Sequence, residues 1–208
     1  PFNAARYLDK QGFSTLRVSF YGFEDNQRDI SDYDVNVGAE DIDTIVDYVK
    51  KKGVKWVAVV GHSYSGMAIV YSNKQRFDTA VLWDPSHSDS YSTLKAQLRL
   101  KEDFTYIKEI NAYVSPVGSG QVISSKVFDS SILDSVDKSK KFKIPTLIIN
   151  ASWSKEMKEY GKKYADSINA PTKRVVIPNS THPFVEDGAM DKLFEITTKW
   201  VKQQLNKS

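Results

Sequence analysis

Five times along this chain a short β-prone run is followed by residues patterned for a helix. That repeated order of strand then helix predicts an α/β fold, a mostly parallel sheet flanked by helices. Phe2, Ala5 and Leu8 share one face of a first helix that Gly12 ends, and residues 15–20 read as the first strand. Residues 22–38 are polar, acidic and rich in turn formers, which predicts a long loop. Ile42, Ile45, Val46 and Val49 then repeat at helical spacing until Gly53 closes the helix.

The run 54–60 predicts a buried strand, and Met67, Val70 and Tyr71 mark the inner face of the helix after it. Residues 79–83 form the next strand, stopped by Asp84-Pro85. The alternation breaks over residues 88–143, which read as an insertion on top of the sheet, with patchy helices and a turn at Pro116, Gly118 and Gly120. It resumes with a strand at 144–149, a helix from about Lys155 to Ile168 and a strand at 173–177. A final amphipathic helix carries Met190, Leu193, Phe194, Thr197, Trp200 and Val201 on one stripe. A chain of 208 residues holds this pattern in one domain, residues 1–208, with a core that needs no disulfide staple.

Composition removes several classes of function. With no cysteine there is no thiol catalysis and no cysteine metal site, a composition that fits a cytoplasmic protein. No stretch approaches the roughly 20 apolar residues of a membrane span, and neither a basic nor an apolar leader opens the chain. The net charge is +3, spread among acidic residues rather than gathered into a basic patch, so no nucleic-acid partner is expected. The oligomeric state is open, a homodimer included.

The chemistry points to the segment Gly61-His62-Ser63-Tyr64-Ser65-Gly66, where an apolar run stops at a serine between small residues. A serine on a sharp strand-to-helix turn has its hydroxyl pushed out of the sheet, where it acts as a nucleophile once a base takes its proton. The chain has three histidines. His62 adjoins Ser63 at a tight turn and points elsewhere, and His87 follows a strand at Pro85-Ser86. His182 lies just past the last strand, and open α/β sheets carry functional groups outside the carboxyl ends of their strands. Ser63 as nucleophile and His182 as base therefore leave the same edge of the sheet, and a small molecule is the expected partner. Gly22 and Phe23, after the first strand on that edge, are candidates for a substrate wall. So are the aromatic residues of the insertion, Tyr91, Phe104, Tyr106, Tyr113 and Phe128.

These segments resemble the α/β-hydrolase fold, in particular its small esterase and acyl-hydrolase branch. Residues 61–66 look like the nucleophile elbow of that family, 143–149 like the strand before its usual acid and 179–184 like its histidine loop. The resemblance covers essentially the whole chain. It implies a lid at about 88–143, the Tyr64 backbone N–H as one oxyanion donor, and acyl-enzyme hydrolysis that needs no metal or cofactor.

Three departures stand out. Ser65 occupies the place of the second elbow glycine. Ser154 lies about where the family places its aspartate, so the acid is Asp84 at the end of the preceding strand, as in pancreatic-type lipases, or Glu156, or no carboxylate at all. Finally, the family has a strand between 15–20 and 54–60 whose loop supplies a second oxyanion donor, and the resemblance predicts that this strand lies upstream of Pro1. The activity implied is a carboxylic-ester hydrolase for small or medium acyl or aromatic acids. The alternatives are a non-catalytic binding or interaction protein, or a peptidase or thioesterase using the same Ser-His site.

Overall fold

The computed structural model describes residues 2–19, 28–88, 104–115, 122–128 and 134–207, apart from the side chains of Phe2 and Phe128. Its centre is a four-stranded parallel sheet made of β1 (Ala58–His62), β2 (Thr79–Trp83), β6 (Thr146–Ala151) and β7 (Thr172–Ile177), adjacent in that order. Because side chains alternate across a strand, β2 and β6 feed two separate layers of core. Ala80, Leu82 and Ile148 face a cluster with helices α2 (Val35–Lys51), α3 (Tyr64–Val70) and α5 (Lys155–Ser167). Val81, Trp83, Leu147, Ile149 and Ala151 face Ala4 of helix α1 (Phe2–Lys10) and the inner stripe of helix α6 (Ala189–Leu205). Leu82, Ile148 and Ile149 are fully buried, and each such side chain contributes about 1.5–3 kcal/mol relative to exposure. Trp83 Nε1 and Trp200 Nε1 donate to Thr197 and Thr79 hydroxyls, so neither indole is buried with an unmet donor.

The insertion between β2 and β6 contains a second sheet, antiparallel, formed by β3 (Thr105–Ile107), β4 (Ala112–Val114) and β5 (Val122–Ser124), and a short helix α4 (Ser135–Ser139). Short helices stand here as expected, at Lys108–Ile110, Ser125–Phe128 and α4, and β4 and β5 pair on either side of the expected turn. Lys126 pairs with Asp32 at 2.9 Å, and Ser124 Oγ donates to the Ser31 carbonyl at 3.3 Å, which ties the small sheet to a 3₁₀ turn at Ile30–Asp32.

Three sequence expectations need correcting. Residues 15–19 pair with no strand among the described residues and stand exposed, Leu16 at 61% and Val18 at 43%. A strand is stable only in a ladder, and no strand among the described residues lies between this segment and β1. For the same reason β1 is half-buried rather than buried, and it begins at Ala58 rather than near Val54. The helix expected from Ile42 instead starts at Val35, inside the expected loop, because Asp34 caps it by accepting from the Val37 N–H at 2.8 Å.

Candidate active site

The exits of the four parallel strands are stitched together. Ser63 N–H donates to Trp83 O at 2.9 Å, Asp84 N–H to Ile149 O at 2.6 Å and Ser152 N–H to Ile177 O at 3.1 Å. Ser63 turns from β1 into α3 with φ 57° and ψ −122°, a conformation that costs a non-glycine residue about 1–3 kcal/mol and is held by its surroundings. The turn is tight enough that a Cβ on Gly61 would lie 2.7 Å from Ser65 O, and one on Gly66 would lie 3.1 Å from the Pro85 side chain. The close approaches therefore fall on Gly61 and Gly66, while Ser65 is half-buried, so the serine in the elbow motif is accommodated.

Asp84 follows β2 with its side chain wholly buried, and its Oδ2 accepts from His182 Nδ1–H at 2.8 Å. Burial alone would push this carboxyl up. Donors from His182, Asn150, Ser154 and the Ala151 N–H outweigh it and hold the group below its ordinary value. His182 itself rides on a loop pinned at both sides: Ser180 Oγ donates to Ile177 O at 2.8 Å, and Phe184, buried in the core, donates its N–H to Thr181 O at 2.9 Å. The His182 side chain is 35% exposed.

Two contacts were not foreseen. The Ser63 hydroxyl hydrogen-bonds to Ser86 Oγ at 3.2 Å. His62 lies with its ring 4.6 Å from that of His182, centre to centre, and donates from Nε2 to the His182 carbonyl at 2.9 Å. That bond ties the His62 ring to the loop that carries His182. The only sequence signal for either contact is adjacency to Ser63 and to Asp84-Pro85.

Burial pushes the His62 imidazole below its ordinary value of 6.5. Between those two values the unfolded chain binds a proton that the folded chain lacks, so stability falls as pH drops through that window. The depressed Asp84 carboxyl adds a second loss at lower pH, as it protonates below 3.8. The expected result is a Tm that declines from pH 7 to pH 5 and again below about pH 4, with the upper decline reduced in His62→Gln. A variant whose Tm follows pH as the wild type does would contradict the His62 assignment.

The other candidates are placed apart. Glu156 sits on the first turn of α5, 55% exposed, with Oε1 3.4 Å from His87 Nε2 rather than beside His182. Tyr113 lies on β4 with its ring 5.2 Å from Tyr106. Gly22, Phe23 and Tyr91 lie outside the described residues. Tyr64 is the first residue of α3. Among the described residues no helix is long and apolar enough to cross a membrane.

No family model matches the chain, and no curated protein sequence matches it. Solved structures do. Est1E from Butyrivibrio proteoclasticus, bound to ferulic acid, superposes with a TM-score of 0.72 at 16% identity, over 99% of this chain and 82% of that one. The esterase domain of a Rhodothermus marinus protein gives 0.66 at 14% identity, over 97% and 78%. A dienelactone hydrolase from Anabaena variabilis gives 0.55 at 14% identity, over 82% of this chain but only 61% of its own length. The chain has the α/β-hydrolase fold.

Proposed function

We propose that this protein is a serine hydrolase that cleaves carboxylic esters of small, medium or aromatic acids through an acyl-enzyme intermediate. The observation that carries the reading is the 2.8 Å hydrogen bond between His182 Nδ1 and the buried Asp84 carboxylate, at the sheet edge where Ser63 leaves the adjoining strand. That bond fixes the tautomer, leaving Nε2 as the proton acceptor. Ser63 Oγ attacks the ester carbonyl while His182 takes its proton. The Tyr64 N–H stabilises the resulting oxyanion, and His182 returns the proton to the departing alcohol. Water repeats the sequence on the acyl-enzyme and releases the acid. Asp84, on this reading, is the acid, and Glu156 is not.

Ferulic acid in Est1E supports an aromatic acyl group among the substrates. The insertion over 88–143, with Tyr113 and its aromatic neighbours, serves as a lid over the acyl pocket, within a single domain. Gly22 and Phe23 are assigned to substrate binding on this reading. Hydrolysis of a p-nitrophenyl ester series, from acetate to octanoate, and of a feruloyl ester tests the reading. A burst of one p-nitrophenol per chain followed by slower turnover is expected, with matched thioesters and peptides turned over more slowly. Absence of turnover on every ester would contradict it.

A further inference from the structure

Behind Asp84 lies a chain of side chains that the sequence pattern did not suggest. Asn150, wholly buried at the end of β6, uses every polar atom of its amide. Its Nδ2 donates to Asp84 Oδ1 at 3.0 Å and to Met157 O at 3.0 Å, and its Oδ1 accepts from Arg174 Nε at 2.9 Å. Arg174, half-buried on β7, donates from Nη2 to Lys158 O at 2.9 Å. The guanidinium is thus clamped between α5 and the amide, and it fixes which end of Asn150 is the acceptor. Helix α5 makes room for this arrangement: a Cβ on Gly161 would lie 2.1 Å from Asn150 Oδ1 and 2.6 Å from Nδ2.

We infer that Asn150 and Arg174 are positioning residues that hold the Asp84 carboxylate against His182. The inference rests on the reading of Asp84 and His182 as the acid and base of the hydrolase. Asp84 lies on one strand and His182 on a loop after another, so the rotamer of Asp84 decides whether Oδ2 reaches Nδ1. The Ala151 N–H donates to the same Oδ1 at 3.2 Å and the Ser154 hydroxyl also turns to the carboxylate, but neither of these comes from β7, the strand that His182 follows. The Asn150 amide supplies a further direction, and Arg174 prevents the amide from flipping its oxygen toward Asp84, where it would repel. Asparagine is the residue that suits this place. An aspartate could not donate, and two carboxylates at such a distance would compete for one proton.

The test combines a spectroscopic signature with steady-state kinetics on Asn150→Ala, Arg174→Gln and Arg174→Lys, with Asp84→Asn as control. The strongly deshielded proton NMR resonance of the His182 Nδ1–H···Asp84 hydrogen bond is expected in the wild type and missing in Asp84→Asn. In Asn150→Ala and Arg174→Gln it should shift or broaden, with kcat lowered about tenfold, as for loss of one hydrogen bond to a charged group, and KM within about twofold. Arg174→Lys, which keeps a cationic donor, should restore most of the signal and of kcat. If Asn150→Ala does not fold, Arg174→Gln decides the matter, because Arg174 lies at the margin of the core. A folded Arg174→Gln with the resonance in place and kcat unchanged overturns the inference. A wild type inert toward esters whose resonance still moves in the variants would sink the ester reading and leave the positioning network standing.

Discussion

Replacing Ser63 with alanine is expected to remove ester hydrolysis almost completely, lowering kcat by a factor on the order of 10⁶, the loss that follows when the nucleophile of a serine-histidine unit is deleted. The effect is large because no neighbouring group takes over. The Ser86 hydroxyl, 3.2 Å from Ser63 Oγ, belongs to a different turn, and His62 spends its Nε2 proton on the His182 carbonyl. Stability should hardly change. Ser63 Oγ makes a single neutral hydrogen bond in the folded chain, which contributes about 1 kcal/mol, and alanine meets the same backbone conformation. Measured together, kcat and Tm separate catalysis from folding. A Ser63→Ala protein that folds and keeps the wild-type rate would remove Ser63 from the chemistry.

The second large effect is at Asp84. Asp84→Asn preserves volume but presents the imidazole with an amide, so His182 loses control of its tautomer and kcat should fall about 10⁴-fold with KM little altered. This substitution also carries a structural penalty. The carboxylate accepts from His182, Asn150 and the Ala151 N–H, and an amide has one oxygen to offer them. At least one donor is left facing another donor, at about 1–3 kcal/mol, so Tm should drop by several degrees. Glu156→Gln is the matched control. Its carboxylate is mostly in solvent beside His87, and kcat should stay within about twofold of wild type. A large loss in Glu156→Gln with none in Asp84→Asn would reverse the assignment.

How much of this was legible in the sequence depended on whether the determinant was local. The parallel sheet from 58 onward could be read because β2 and β6 are short, apolar runs bounded by turn formers, and α6 has an unbroken stripe. Ser63 and His182 could be placed because each follows a strand end, and parallel strands bring their carboxyl ends to one edge. Asp84 was legible as a candidate through the strand-ending Asp-Pro pair, but choosing it over Glu156 needed the three-dimensional distance. What failed depended on partners far away in sequence. Residues 15–19 have the composition of a strand, yet a strand exists only when another pairs with it. Gly38 looked like part of a loop, yet it lies inside α2, because the Asp34 cap sets the start of that helix.

Asn150 illustrates the limit most clearly. In the sequence it is one polar residue closing an apolar strand, in the region where an acid was sought. Its role emerges only when β2, β7 and α5 converge on its amide and Gly161 leaves space for it. Ser154, about where that acid was expected, turns its hydroxyl to the same carboxylate and helps to depress it.

The central claim, that Ser63 is activated by His182, is tested most directly by covalent labelling. Incubation with a fluorophosphonate ester followed by peptide mass spectrometry should find one adduct per chain, on Ser63, absent from Ser63→Ala and formed far more slowly in His182→Ala. An unmodified Ser63 in folded protein, or an adduct that forms at the same rate without His182, would contradict the account.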